Sequence, residues 1–143
     1  MKAIYRARDL AVIFSFTPRT CTEWIHSGVF GESFELNGAA YVTLLGVNAW
    51  IERHRMAPGP SLGLAMPGRY LSPAQLGIYF DCHPITVRRR VRDGSFGPLC
   101  NVLSINGDMR IPVDGVNTYT HQSERVGIRC RTVGEARRFL ANA

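Results

Sequence analysis

A chain of 143 residues, 45% of them hydrophobic, can bury one ordinary core or two very small ones, which excludes wholesale disorder. Its net charge of +6 at pH 7 favours a polyanionic partner. Sixteen of its seventeen basic residues are Arg, with Lys2 the exception. Arginine forks suit phosphates and guanine edges, although a GC-rich genome produces the same bias. Cys21, Cys82, Cys100 and Cys130 contain no C-x-x-C pair. Cys82 and His83 are adjacent, with no second close pair to complete a zinc site. No apolar run reaches the roughly 18 residues of a membrane span, and residues 1–10 carry Lys2, Arg6, Arg8 and Asp9 where a signal peptide would be apolar. The expectations are a soluble cytoplasmic chain with free thiols, no metal, no cofactor and no membrane partner.

The chain contains an internal repeat. A shift of 66 residues lays Leu10 on Leu76, Phe14 on Phe80, Pro18 on Pro84, Ile25 on Val91, Gly28 on Gly94 and Phe30 on Phe96. Three extra residues then enter the second copy. At a shift of 69, Asn37 and Gly38 fall on Asn106 and Gly107, Val47 on Val116, and Trp50 on Tyr119. The division this predicts is a first copy over 1–55, a Pro/Gly-rich linker over 56–69, a second copy over 70–122 and a basic tail over 123–143.

In the first copy, residues 6–16 predict a helix with Leu10, Ile13 and Phe14 on one face and Arg6 as a poor cap. Thr17 and Pro18 supply an N-cap and an N1 proline for a second helix that Gly28 ends, with Cys21, Trp24 and Ile25 inward. Asn37-Gly38 between apolar flanks predicts a type I′ hairpin. A third helix follows over 44–54, capped by Thr43, with Val47, Trp50 and Ile51 inward. Prolines and glycines break residues 56–69, where Leu62, Leu64 and Met66 are placed to pack across the seam between the copies.

The second copy opens on a capping box, Ser72 to Gln75, with Pro73 at N1. Residues 84–92 predict a short helix between Pro84 and Gly94. Val87 and Val91 face its core, Arg90 lays its stem over the core edge with its head reaching out, and Ile85, Thr86, Arg88, Arg89 and Arg92 lie on the open side. Residues 102–105 and 109–111 predict a hairpin about Asn106-Gly107, ended by Pro112. A third helix runs from Val113 to about 122 with Val116 and Tyr119 inward. In the tail, residues 132–135 read as a capping box before a short helix with Ala136, Phe139 and Leu140 in a stripe.

Charge rises along the chain, as +1 over 1–55, +2 over 69–122 and +3 over 123–143. A uniform solubilising coat would not do so. The arginine helix is the strongest candidate for a major-groove contact, where Arg reads guanine and Thr or Ile meets a thymine methyl. Against it stands a plain solvated basic face. Arg110 on the hairpin is a candidate phosphate contact, with an ordinary exposed strand residue nearly as good an account. The matching first-copy positions are Arg19, Thr20 and Thr22, where Glu23 dilutes the charge. No P-loop, nucleophile elbow, zinc-protease motif or paired carboxylates is present, so no enzyme is expected.

At residues 84–94 and 107–112, and more loosely at 17–28 and 38–42, the chain resembles the excisionase-like branch of the MerR-type winged helix-turn-helix family. The family pattern is a Ser/Thr-Pro-anchored helix rich in Val and Arg, then a short wing ending in Ile/Val-Pro. His83 stands where the family has a Ser/Thr cap and Arg90 where it has an aromatic, and the first copy lacks a basic wing. The resemblance implies a mainly α fold with short β-hairpin wings, arranged as tandem winged helix-turn-helix modules. It implies duplex DNA as partner, an integrase or other DNA-bound protein beside it, and self-association on DNA. The implied roles are a recombination directionality factor or a regulator of a phage or mobile element, with transcriptional control or a non-catalytic, small-terminase-like adaptor as alternatives.

Overall fold

The computed structural model describes residues 4–60 and 69–125, with side chains described in α6 only through residue 120. In chain order the elements are β1 (Ile4–Arg6), α1 (Ala7–Phe14), α2 (Pro18–Ser27), β2 (Phe34–Leu36), β3 (Ala39–Thr43) and α3 (Leu44–Arg53). Then follow β4 (Tyr70–Leu71), α4 (Pro73–Phe80), α5 (Pro84–Arg92), a single 3-10 turn (Leu99–Asn101), β5 (Leu103–Ile105), β6 (Asp108–Pro112) and α6 (Val113–Arg125). The fold is mixed α/β, with two small antiparallel sheets ordered β1-β3-β2 and β4-β6-β5.

Apart from the 3-10 turn, which the first half lacks, the two halves repeat element for element. Helices α1 and α4 start 66 residues apart, and strands β2 and β3 recur as β5 and β6 after 69. Both helix pairs turn on a left-handed residue, Ser15 at φ 56° and Asp81 at φ 53°. Both hairpins turn on an Asn-Gly pair with positive φ at each residue, the type I′ signature.

Local chemistry accounts for the boundaries. Thr17 and Thr43 hydroxyls accept from Thr20 and Gly46 N–H groups. Ser72 accepts from Gln75 N–H while the Gln75 amide oxygen accepts from Ser72 N–H. Arg6 makes no side-chain cap bond, as expected of a poor cap, but Asp9 in the first turn accepts the Arg6 N–H on its carboxylate at 3.0 Å. His83 caps α5 by accepting the Ile85 N–H on Nδ1 at 3.1 Å.

Each half packs around an aromatic on its third helix. Trp50 meets Phe14 at 4.9 Å and Phe30 at 5.2 Å between ring centroids. Tyr119 meets Phe80 at 5.2 Å and Phe96 at 4.5 Å. The third helix can come this close because it carries a glycine where the preceding loop crosses it. A Cβ on Gly46 would sit 1.9 Å from the Phe30 carbonyl oxygen, and one on Gly115 would sit 2.1 Å from that of Phe96. Alanine in a helix ordinarily stabilises by about 1 kcal/mol over glycine. Here the clash is with backbone and reverses the sign. Gly46→Ala and Gly115→Ala should each destabilise by ~2–3 kcal/mol, read as a lower urea midpoint.

Three features depart from the sequence expectation. First, β1 and β4 add a third strand to each hairpin, with Tyr5 opposite Val42 and Leu71 opposite Ile111. Second, Pro112 ends β6 as expected but is itself paired there, opposite Tyr70 of β4. Third, the two halves share core. Tyr70, Leu103 and Ile105 of the second pack with Phe14, Trp50 and Ile51 of the first, and Met56 packs into the second. Residues 54–56 run as an extra edge along β5. Ser104 N–H donates to the His54 carbonyl and Met56 N–H to that of Val102, both at 2.8 Å, with a bridge from Arg55 to Leu103. The expected roles of Leu62, Leu64, Met66 and the tail helix fall outside the described residues.

Candidate nucleic-acid interface

Helix α5 is positioned by two valines. Val87 and Val91 are buried four residues apart, and Phe96 and Met109 belong to the same core. Burying that stripe turns the opposite face outward, as 3.6-residue periodicity requires. Arg88, Arg89 and Arg92 are exposed, Ile85 is 59% exposed and Thr86 half-buried. None of these three arginines forms an ion pair with a carboxylate among the described residues. Arg89, Arg90 and Arg92 occupy the last turn, where positive charge also complements the helix dipole.

Arg90 takes a different course from the one expected. Its head does not reach out but donates to the Tyr119 hydroxyl, with the guanidinium carbon 5.7 Å from the ring centroid. The equivalent first-half pair is Trp24 on Trp50 at 5.4 Å. The arginine thus replaces an aromatic within the same packing site.

Arg110 is the main correction. Expected at the hairpin surface as a phosphate contact, it is 8% exposed and spans the seam between the halves. Its Nε donates to the Phe14 carbonyl at 2.8 Å, one terminal nitrogen to the Met109 carbonyl at 2.9 Å and the other to the Ser15 carbonyl at 3.1 Å. Its guanidinium carbon lies 3.9 Å from the Phe16 ring centroid. Phe14 and Ser15 end α1, so Arg110 satisfies carbonyls that the helix leaves orphaned. Burial lowers its pKa from the ordinary guanidinium value, against an opposing pull from Asp108. Three of its five N–H groups are thus given to backbone carbonyls, and the head lies buried at the seam instead of at the hairpin surface.

The first-half residues form a self-satisfied face. Arg19, 91% exposed at its side chain, pairs with Glu23 at 3.5 Å. The Thr22 hydroxyl donates to the Pro18 carbonyl, and the Thr20 hydroxyl is bonded to that of Thr17. Beside them a cleft of about 370 Å³ separates α2 from the hairpin, lined in part by Arg6, Arg8, Thr22, His26 and Glu35. Sequence reasoning passed over Arg6 and Arg8 because they lie on a different element from α2, at the N-cap and in the first turn of α1.

Cys21 is buried, and desolvation pushes its thiol up to about 11. Cys82 and Cys100 are also free. Among the described residues no cluster of three or more His, Cys, Asp or Glu is placed to hold a metal ion. Nor is any helix among them long and apolar enough to cross a membrane. The chain matches no protein-family model, no curated protein and no solved structure.

Proposed function

We propose that the chain is a tandem winged helix-turn-helix protein that binds duplex DNA sequence-specifically and has no catalysis of its own. The observation that carries this is α5. Its valine stripe is buried while Arg88, Arg89 and Arg92, unpaired with any carboxylate among the described residues, project from the opposite face with Ile85. A short helix held by its inner face, with forked cations outward, can enter a major groove and read guanine edges. Helix α2 repeats the frame with one ion-paired arginine, so it plays the lesser part. With Arg110 committed to the seam, phosphate contacts fall to the arginines of α5 and to the basic segment 123–143.

A role as recombination directionality factor or regulator of a mobile element, bound at the nucleoid beside an integrase or another DNA-bound protein, follows from the family resemblance at residues 84–94 and 107–112. Excision and promoter control both need the same first step, which is a preferred duplex site. Selection from a random duplex pool should return an enriched motif. Affinity for it should fall log-linearly with salt, with a slope near −0.9 per phosphate neutralised. Recovery of no motif, together with binding that ignores salt, would reject the proposal in favour of an adaptor role.

A further inference from the structure

The cleft between α2 and the first hairpin has its arginines on an unexpected wall. That wall is the start of α1, where Arg6 is half-buried and Arg8 exposed. Helix α2 forms the second wall with Thr22 and His26, and Glu35 stands on the hairpin side. Neither Arg6 nor Arg8 forms an ion pair with a carboxylate among the described residues, since Asp9 accepts the Arg6 backbone N–H. The repeat makes this placement informative. A shift of 66 lays Arg6 on Ser72 and Arg8 on Ala74, so the matching turn of α4 holds no cation. The same shift lays Thr22 on Arg88 and His26 on Arg92. In the second half two arginines stand on the second helix, and in the first half two stand on the first helix. A copy that had merely shed its affinity for anions would lack both sets.

The cleft has the size and donors that a phosphate needs. At about 370 Å³ it falls within the roughly 300–1,000 Å³ of pockets that take small molecules. Gly38, Ala39 and Ala40 keep the hairpin side open with small side chains. The Thr22 hydroxyl is already given to the Pro18 carbonyl, so the donors available to an anion are the two guanidinium forks. Charge-assisted bonds from arginine to phosphate are short, strong and often bidentate. Glu35 opposes an anion at the same cleft, which gives the charge argument a second handle of opposite sign.

We propose that this cleft takes a phosphate group, held by the guanidinium forks of Arg6 and Arg8. The group belongs either to the backbone of a duplex or to a free nucleotide, and the recognising chemistry is the same. In the duplex form, which rests on the DNA-binding reading above, the first half grips the backbone through α1 and not through the exposed face of α2. The phosphate site itself stands without that reading.

The test uses the full-length chain, Arg6→Gln/Arg8→Gln and Glu35→Gln, each variant first checked for an unchanged urea midpoint. One arm measures affinity for a selected duplex against salt. The double variant should bind at least about 10-fold more weakly, with a salt slope shallower by about one and the same enriched motif. Glu35→Gln should bind more tightly than wild type. The other arm titrates a deoxynucleoside monophosphate into isotope-labelled protein and follows the arginine Nε–H resonances. Weakened duplex binding without nucleotide shifts identifies the phosphate as the duplex backbone. Shifts at Arg6 and Arg8 with duplex binding unchanged identify a free nucleotide. A chain that shows those shifts but binds no duplex keeps this site and loses the DNA-binding reading. Unchanged duplex affinity and slope in the double variant, together with no nucleotide shift, would overturn the proposal. Should the double variant fail to fold, Glu35→Gln that gains no affinity, again with no nucleotide shift, would overturn it as well.

Discussion

Arg110→Met should lower stability by ~3 kcal/mol, read from urea denaturation followed by tryptophan fluorescence in the first half and by far-ultraviolet circular dichroism over the whole chain. Methionine keeps much of the stem volume, so the loss isolates the guanidinium. Three carbonyls, those of Phe14, Met109 and Ser15, lose their charged donor, and the Phe16 ring loses its cation. Hydrogen bonds from a charged group contribute about 1.5–3 kcal/mol each, and the cation–π contact roughly 1. Release from the desolvation of a buried guanidinium offsets a large part of that sum. What remains is the penalty of leaving the last carbonyls of α1 unsatisfied beneath the second half. Arg110→Lys should recover little, because one ammonium cannot span carbonyls that a planar fork reaches at once. The two probes should also separate in the variant, since the clamp that couples the halves has gone. Coincident and unshifted transitions would show that the apolar contacts of Leu103, Ile105 and Tyr70 hold the seam without it.

Arg88→Ala/Arg89→Ala should leave that stability within about 0.5 kcal/mol, because both side chains are exposed and neither pairs with a carboxylate among the described residues. Binding to a selected duplex should fall by about 100-fold or more, at ~1–3 kcal/mol for each arginine that reads a base or grips a phosphate. The salt dependence distinguishes those uses. Loss of a phosphate contact lowers the slope by about one per arginine and weakens all sequences alike, whereas loss of a guanine contact relaxes specificity at one position. Arg19→Ala should have a far smaller effect, since its charge is already met by Glu23 at 3.5 Å. Undiminished binding by the folded double variant would remove α5 from the interface.

Helix caps, hairpin turns and inward stripes were legible because each depends on groups within a few residues of one another. Thr17, Thr43 and Ser72 bond to N–H groups three positions on, and Asn37 and Asn106 turn on their own backbone. The stripes of Leu10 and Phe14, of Val87 and Val91 and of Val47, Trp50 and Ile51 are all buried as 3.6-residue spacing predicts. Strands β1 and β4 were not legible. Two or three residues carry no usable alternation, and their partners lie about 40 positions away.

Arg110 shows where local reasoning stops. Strand alternation places it on the opposite face of β6 from Met109 and Ile111, and it does point away from the core of its own half. Alternation equates that face with solvent. In the folded chain the face meets the C-terminal end of α1, so the same orientation that would have presented a cation to DNA buries it against two helix carbonyls. Phe34 and Leu36 are the reverse case, apolar on the equivalent face with nothing among the described residues to cover them.

Spacing and short-range hydrogen bonding are enough to specify the repeat, the helices and hairpins of each copy, and which side of α5 carries its arginines. How one copy sits on the other follows from the packed fold alone. That placement commits Arg110 to the seam and buries Leu103 and Ile105, while their counterparts Phe34 and Leu36 stay exposed. It is set by contacts between residues 46 to 96 positions apart, which no local pattern encodes.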